Sequence, residues 1–350
     1  MTVKPFSLGP LANSSSFHYP LSVSSYDFSF LKACLRKMML IRAVEQRLAI
    51  ARRDGCIGGP VHLGVGQEAV AVGVSANLRN SDCVFGAHRS HSHLLALGGD
   101  VRKLFAEVLG KCTGHSKGMG GSMHLFDQTV GFYGSVPIVA GTVSLAVGAG
   151  MAARIKNTDD VSIAYFGDGA CEEGIVHESF NLASIQNDPV IFVVENNLFA
   201  SHMHISTRQP MDSTARFAEA NDIPFCVVDG NDVLAVSKAS AVLVEAARQG
   251  NGPGFLEAVT YRWFGHVDWR EDIDVGVNRS KLDVDSWRAK DPIRRLKDGM
   301  IDAGVWSQEQ NHALDSAITA EVEEAWLLAV ADPYPQSSSL LDYVYSIPEA

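Results

Sequence analysis

Two short polar motifs directly follow apolar runs in this sequence. The sequence GDG (167–169) follows VSIAYF, and NN (196–197) follows VIFVVE. Buried parallel strands are typically apolar runs of this length, and the polar residues at their carboxyl ends meet in one crevice. Mg²⁺ prefers hard oxygen ligands and completes its shell with phosphate oxygens and water. Asp168 and Asn197, 29 residues apart, therefore predict a magnesium and phosphate site.

The flanking residues favour the same chemistry. Glycines on both sides of Asp168 let a diphosphate approach the backbone, and a helix predicted to start near Glu173 directs its positive end towards it. Turn or helix-cap roles are the alternative, because Asp and Asn favour such positions. The shared spacing and the two preceding apolar runs favour the metal site.

The elements that must position this site alternate along the chain. From about residue 140 onward, short apolar runs alternate with helical patterns, which indicates a parallel sheet covered on both faces. The fold class we expect is α/β, with a doubly wound parallel sheet and helices on both faces. Helices are predicted at 143–156, 173–186 and 233–249, and strands at 161–166, 190–195, 224–228 and 255–262.

The rest of the chain contributes further helices and one irregular stretch. Helical periodicity is present at 28–53, 67–78, 101–109 and 292–330. The glycine-rich stretch 114–134 suits a loop shaped around a ligand. We predict an N-terminal extension (1–28), one domain with its C-terminal helices (29–332) and a C-terminal tail (333–350), without internal repeats.

Composition limits the class of partner. The chain has 350 residues, 46% hydrophobic and 20% charged, and a net charge of −11. This balance excludes general nucleic-acid or anionic-membrane binding, which needs a basic surface. The six cysteines form no CxxC pair, and no segment has the roughly 18 apolar residues that span a membrane. Residues 1–28 lack signal-peptide features, so we expect a cytoplasmic protein.

The sequence resembles a known enzyme family. GDG followed by NN at this distance is the signature of thiamine-diphosphate enzymes, and the context resembles the alpha subunit of the decarboxylating component of 2-oxo-acid dehydrogenases, of pyruvate or acetoin type. The resemblance covers roughly residues 30–330. Its supporting stretches are HLGVGQEA (62–69), HRSHSH (88–93), KGMGGSMH (117–124), GDGACEEG (167–174), HESFNLA (177–183), VVENN (193–197) and TYRWFGH (260–266).

The resemblance implies an enzyme with defined cofactors and partners. It implies a thiamine-diphosphate-binding fold of the diphosphate-binding type, with thiamine diphosphate and Mg²⁺ as cofactors. The enzyme would decarboxylate or cleave a small 2-oxo compound and pass the acyl unit to a lipoyl group on an acyltransferase. Two alpha and two beta chains would form it, and the beta subunit would supply the glutamate beside the cofactor's aminopyrimidine.

The resemblance also implies roles for particular residues. Asp168, Asn197 and the carbonyl of Phe199 would bind the metal. His62 and His266 would be catalytic, in proton handling, because imidazole titrates near neutral pH. The remaining positions would bind the cofactor: His88, Arg89, Pro137, Val139, and the backbone amides of Gly169 and Ala170.

Several positions depart from the family pattern. His88 replaces a usual tyrosine and Pro137 a usual glycine, and Val267 stands where mammalian enzymes carry a regulatory serine. The stretch DWRED (268–272) is also unlike the family's loop. These differences keep open a non-oxidative thiamine-diphosphate lyase or carboligase. A catalytically silent scaffold is disfavoured, because Asp168, Asn197 and Arg89 are present.

Other residues invite competing interpretations. A zinc site at His88, His91 and His93 is disfavoured, since no cysteine or carboxylate is spaced to complete it. Cys171 is interpreted as a buried filler rather than a nucleophile. The sequence alone does not decide the roles of His202 and His204. Glu172 and Glu173 are predicted to cap a helix, and Glu178 to be a structural or supporting acid.

Overall fold

The computed structural model describes residues 6–273 and 279–342. Parts of the predicted N-terminal extension (1–5) and C-terminal tail (343–350) lie outside the described residues. The strands are β1 (Cys83–Gly86), β2 (Phe132–Ser135), β3 (Ser162–Gly167), β4 (Val190–Asn196), β5 (Phe199–Ala200), β6 (Met203–His204), β7 (Phe225–Asp229) and β8 (Gly254–Val259). The helices are α1 (Phe28–Arg53), α2 (Glu68–Ser75), α3 (His91–Ala96), α4 (Val101–Val108), α5 (Val143–Lys156), α6 (Gly174–Gln186), α7 (Ala215–Glu219), α8 (Val233–Arg248), α9 (Lys281–Arg288), α10 (Pro292–Asp302) and α11 (Gln308–Ala331).

A six-stranded parallel sheet forms the centre of the fold, in the order β2-β1-β3-β4-β8-β7. Successive residues of β3 alternate between two buried clusters. Ile163 and Tyr165 pack in the cluster that includes α1, α2, α8 and α11, whereas Ala164 and Phe166 pack in the cluster that includes α5, α6 and α7. Helices therefore cover both faces of the sheet, as the α/β prediction requires.

The register of the two central strands determines where the site forms. Gly167 at the end of β3 pairs with Glu195 near the end of β4. Asp168 and Asn197 therefore leave the sheet at the same edge, as predicted from the apolar runs. The polar crevice lies at the carboxyl ends of the strands, where parallel sheets place their ligand sites.

The glycine-rich stretch differs from its prediction. Its last residues, 132–134, belong to β2, the edge strand beside β1, so this end of the stretch is a strand and not a loop. The rest folds around Glu107 of α4, whose carboxylate accepts four backbone N–H groups at 2.6–3.0 Å. The donors are Ser116, Gly118, Gly120 and Gly121. A buried protein carboxylate, rather than a ligand, determines the shape of this segment.

The ends of the other elements follow from local chemistry. The Asp27 carboxylate accepts the N–H of Ser29 and caps α1, and Asp232 caps α8 in the same way. The predicted C-terminal helical region is two helices, α10 and α11, separated at Gly304, which has a φ of +70°. Within the described residues, no helix is both long and apolar enough to cross a membrane. The predicted domain boundaries stay a prediction.

Candidate active site

A cavity of about 320 Å³ lies at the carboxyl ends of the central strands. The segments after β1, β3, β4 and β8 all contribute to its wall. Residues predicted from the sequence that line it are His88, Arg89, Val139, Asp168, Gly169, Ala170, Asn197, Phe199 and His266. The topology thus brings together residues that are up to 178 positions apart in the chain.

Asp168 is buried at the base of this cavity. Its Oδ2 accepts a hydrogen bond from Arg208, and its backbone carbonyl accepts one from Gln209 at 3.2 Å. Its Oδ1 is buried without a hydrogen-bond partner among the described residues. Burial raises the pKa of the Asp168 carboxyl, and the Arg208 guanidinium partly offsets this effect. An unsatisfied buried carboxylate oxygen is costly, so this atom suits a cation.

Asn197 and Phe199 lie across the crevice from Asp168. The Asn197 amide nitrogen donates to Gln67 Oε1 at 3.3 Å, and its Oδ1 accepts the Phe199 N–H at 3.3 Å. Leu198 between them has a φ of +68°, which is unfavourable for a residue with a side chain. The NN motif therefore begins a tight turn whose residues Asn197 and Phe199 both line the cavity.

The segment after Asp168 presents backbone rather than side chains. Residues Asp168–Glu172 form a 3₁₀ turn, and α6 begins at Gly174 immediately afterwards. At Gly167 the space that a Cβ would occupy is open, whereas a Cβ at Gly169 would lie 2.5 Å from Ala200 Cβ. Free amides at a helix start next to open space suit an anion such as a diphosphate.

Two buried arginines give the cavity a positive wall. Arg89 donates to the carbonyls of Leu63 at 2.6 Å and His266 at 3.2 Å. Arg262 donates to the carbonyl of Ser201 at 2.7 Å. Burial lowers the pKa of Arg89 to about 10 and that of Arg262 to about 9. Both remain cationic at neutral pH, and their guanidinium groups favour an anionic ligand.

Three histidines meet beside these arginines. The ring centroids of His62 and His88 are 4.8 Å apart, and those of His62 and His266 are 5.2 Å apart. Burial first, and the charge of Arg89 second, lower the pKa values of His62, His88 and His266 to about 4, 2 and 3. The pKa values of His62 and His266 thus lie below the near-neutral value on which their proton-handling role was argued, and that role stays a prediction.

Some predicted residues have other surroundings. Pro137 is half-buried and does not line the cavity. The disfavoured zinc set does not assemble, because His91 faces Ser122 at 2.9 Å while His93 stacks on Tyr165. The histidine trio that does assemble is His62, His88 and His266, whose nitrogen atoms lie within 4.8 Å of one another. Cys171 is fully buried, as its structural interpretation requires.

The three acids near the start of α6 have different surroundings, and the supporting role of Glu178 stays a prediction. Glu173 precedes α6 but makes no capping hydrogen bond, and instead lines the cavity. The Glu172 carboxylate accepts hydrogen bonds from Arg208 and from Gln209. Glu178 is exposed on α6. The sequence did not decide the roles of His202 and His204. In the structure, His202 lies 3.3 Å from Asp272, and His204 accepts the Ser206 N–H.

Sequence reasoning missed Arg208, Gln67, Glu195 and Arg262. The last three lie within stretches that carried the family resemblance, so those stretches contained the signal. Glu195 lines the cavity, and its carboxylate is 3.4 Å from His93 Nε2. No local sequence pattern marked Arg208. It contacts Asp168, which lies 40 residues earlier in the chain, only because the folded chain turns back between them.

Comparison with known proteins identifies a family and several relatives. Residues 36–338 match the dehydrogenase E1 component family. The alpha subunit of acetoin:2,6-dichlorophenolindophenol oxidoreductase from Bacillus subtilis (strain 168) is 38% identical, covering 89% of this chain and 92% of its own. The pyruvate dehydrogenase E1 component subunit alpha from Rhizobium meliloti (strain 1021) is 40% identical, covering 87% of both chains. The somatic mitochondrial form of the pyruvate dehydrogenase E1 component subunit alpha from Homo sapiens is 34% identical, covering 89% of this chain and 78% of its own.

Proposed function

Because this chain belongs to the dehydrogenase E1 component family, we propose that it is the alpha subunit of a thiamine-diphosphate- and Mg²⁺-dependent 2-oxo-acid dehydrogenase component. Its substrate would be a small 2-oxo compound of pyruvate or acetoin type. A beta subunit would complete the enzyme, and a lipoyl-bearing acyltransferase would accept the acyl unit. The relatives carry dehydrogenase or oxidoreductase names, which does not favour the non-oxidative lyase alternative.

One observation carries the proposal: the buried Oδ1 of Asp168 has no hydrogen-bond partner among the described residues, and Asp168 lines the same cavity as Asn197 and Phe199. Asp168, Asn197 and the carbonyl of Phe199 would hold Mg²⁺, because oxygen donors of this kind suit that cation. The Asp168 Oδ1 would be the donor, since Arg208 contacts Oδ2. The amides of Gly169 and Ala170, with the start of α6, would hold the diphosphate oxygens.

The cofactor, when bound, supplies the carbon nucleophile and takes up the electrons released on decarboxylation. The chain's own residues bind, orient and move protons. Arg89 and Arg262 would attract anionic groups, because Glu45 and Glu195 balance the buried charge of Arg89 only in part, and Asp272 does the same for Arg262. His62 and His266, as neutral imidazoles, would accept protons or hydrogen bonds beside them.

The test is a dye-reduction assay with defined components. Purified chain, a candidate beta subunit, thiamine diphosphate and Mg²⁺ are incubated with pyruvate, related small 2-oxo acids or acetoin. We expect reduction of dichlorophenolindophenol with at least one of these substrates, and loss of activity when either cofactor is omitted. Addition of a lipoyl protein should then support acyl transfer.

The same assay separates the alternatives. Carbon dioxide or aldehyde release without dye reduction would favour the non-oxidative lyase. Absence of cofactor binding and of turnover with every substrate would contradict the proposal and favour a silent scaffold.

A further inference from the structure

The segment 6–21 runs across the outside of the body and is called here the N-terminal strap. Its first residues are hydrogen-bonded to the loop that follows β6. The Leu8 N–H donates to Asp212 Oδ1 at 3.0 Å, and the Ser213 N–H donates to the carbonyl of Phe6 at 3.1 Å. The strap is therefore attached to the polypeptide that carries Arg208, the partner of Asp168.

The side chain of Leu8 is buried, with 4% of its surface exposed. It belongs to a compact apolar cluster that contains the NN turn. The other members of this cluster, which we call the turn cluster, are Leu198, Phe199, Ile205, Val259, Tyr261, Val284 and Trp287. Leu8 thus shares a buried apolar cluster with Leu198 and Phe199 of the turn, and unlike Phe199 it does not line the cavity.

The turn needs such support. Leu198 lies between Asn197 and Phe199, the two proposed metal-binding residues, and has a φ of +68°. A left-handed conformation costs a branched side chain free energy, and persists only where the surroundings fix it. The buried Leu198 side chain and the hydrogen bond from the Ile205 N–H to its carbonyl, at 2.8 Å, provide that constraint.

A second connection joins the strap to the metal site. The Asp212 side chain holds Leu8, while its backbone carbonyl accepts a hydrogen bond from Asn196 Nδ2 at 3.0 Å. Asn196 is the first residue of the NN motif and also donates to the buried Glu257 at 2.7 Å. A shift of the strap would therefore be transmitted to the turn by packing and by one hydrogen-bonded residue.

We propose that Leu8 is a positioning residue for the magnesium and diphosphate site, although it does not touch either ligand. It holds the NN turn in its strained conformation from behind. This inference rests on the proposed function, because it concerns the residues that would bind the metal. Loss of packing at Leu8 would let Leu198 relax and would move the oxygen donors of Asn197 and Phe199.

The experiment compares two leucines of the same strap. Leu8→Ala opens the turn cluster, whereas Leu21→Ala removes an equally buried leucine (5% exposed) from the main core cluster. Affinity of the full chain for thiamine diphosphate is measured by calorimetry at saturating Mg²⁺, and the Mg²⁺ dependence is measured separately. Melting temperature and hydrogen exchange at residues 198–205 are recorded without cofactor.

We expect Leu8→Ala to weaken thiamine-diphosphate binding about tenfold, equivalent to about 1.4 kcal/mol. The required Mg²⁺ concentration should rise, and exchange at 198–205 should accelerate. Leu21→Ala should lower the melting temperature and leave the affinity unchanged. Leu8→Val, a smaller truncation, serves if Leu8→Ala does not fold, and should give the same effects to a lesser degree.

The two failures are distinguishable. If the unaltered chain binds no thiamine diphosphate with Mg²⁺ even in the presence of a candidate beta chain, the proposed function is wrong. If it binds and the Leu8 variants match it in affinity and in exchange at 198–205, the strap is only structural and this inference is overturned. Equal losses of affinity in the Leu8 and Leu21 variants would overturn it too, because the effect would then reflect general destabilisation.

Discussion

Asp168 combines full burial, a raised carboxyl pKa and one oxygen without a partner among the described residues. Asp168→Asn preserves its shape and removes its charge. We expect magnesium-dependent affinity for thiamine diphosphate to fall at least about a hundredfold, since charge-assisted contacts to a buried ligand contribute roughly 3 kcal/mol. Calorimetry measures this affinity directly.

The matched control for this substitution is Asp188→Asn. Asp188 is also buried, and its ion pair with Arg154 at 2.7 Å lies beside the opposite, amino end of β4. This variant should lose stability and keep its cofactor affinity. Unchanged affinity in Asp168→Asn would rule out the metal assignment.

The lowered histidine pKa values predict a pH dependence of stability. His62, His88 and His266 have pKa values of about 4, 2 and 3 in the folded chain, below the ordinary value of 6.5. The unfolded chain therefore binds more protons below about pH 6.5. Their contribution to stability is present above that pH and is lost as the pH falls towards about 4.

Replacing one of these histidines should make the dependence shallower. His88→Gln should reduce the slope of unfolding free energy against pH by up to roughly 1.4 kcal/mol per pH unit, the linkage value for one proton. Urea denaturation of the cofactor-free chain between pH 4.5 and 6.5 is the measurement. His312→Gln, which alters an exposed histidine of α11, is the control. A slope unchanged by His88→Gln would contradict the buried neutral state.

At the residue scale, the sequence predicted half of the residues that line the cavity but not its charge balance. Asp168 and Asn197 stand at the ends of predicted strands, so their convergence followed from the parallel-sheet rule, whereas Arg89 was predicted only from the family resemblance. Arg208 could not be predicted, because it reaches Asp168 only through the turn at 203–208. The pKa values of the histidines were also inaccessible, since burial and arginine charge are properties of the folded chain.

At the scale of elements, the glycine-rich segment depends on one carboxylate. Glu107→Gln keeps the size of this side chain but places an N–H₂ group against backbone donors. We expect a loss of about 2–4 kcal/mol in unfolding free energy, because buried amides would lose a charged acceptor. Urea denaturation measures the loss. Glu245→Gln, on the exposed side of α8, should change stability by less than about 0.5 kcal/mol. Equal effects of the two substitutions would contradict this structural role of the Glu107 carboxylate.

Local signal explains which elements were predictable. The helical pattern 28–53 matches α1 and 143–156 matches α5, because apolar periodicity runs through each of them. β1 and β2 were missed. Each has four residues, and β2 lies in a glycine-rich context where a strand has little propensity of its own. Their pairing with the sheet is a tertiary effect.

At the scale of the whole molecule, the carboxylates of the described residues that line the cavity lie at the carboxyl ends of β3 and β4. Asp168 pairs with Arg208, Glu195 lies 3.4 Å from His93, and Glu173 precedes α6. The resemblance to 2-oxo-acid dehydrogenase components implies that the acid beside the cofactor's aminopyrimidine belongs to a beta subunit. We therefore expect another chain to supply that acid.

An exposed apolar surface beside the cavity offers a place for such a chain. Val139 lines the cavity and is 51% exposed, and Ile138 next to it is 68% exposed. On the same side of the sheet, the first turns of α5 and α6 expose Leu145 and Ile175 at 54% and 38%, and these turns lie at the end of the sheet that carries the cavity. Exposed apolar residues grouped in this way are typical of surfaces that another protein covers.

The final prediction concerns assembly and turnover together. The purified chain alone should bind thiamine diphosphate with Mg²⁺ but give no turnover, and a candidate beta chain should restore dye reduction. Leu145→Asp should weaken association with the beta chain about tenfold or more in sedimentation experiments, because a charge would be buried in the interface. Leu327→Asp, at a 66% exposed residue of α11 on the opposite face of the sheet, should associate normally. Full turnover by the chain alone would refute the need for a partner and would assign the missing acid to this chain, with Glu195 the first residue to replace.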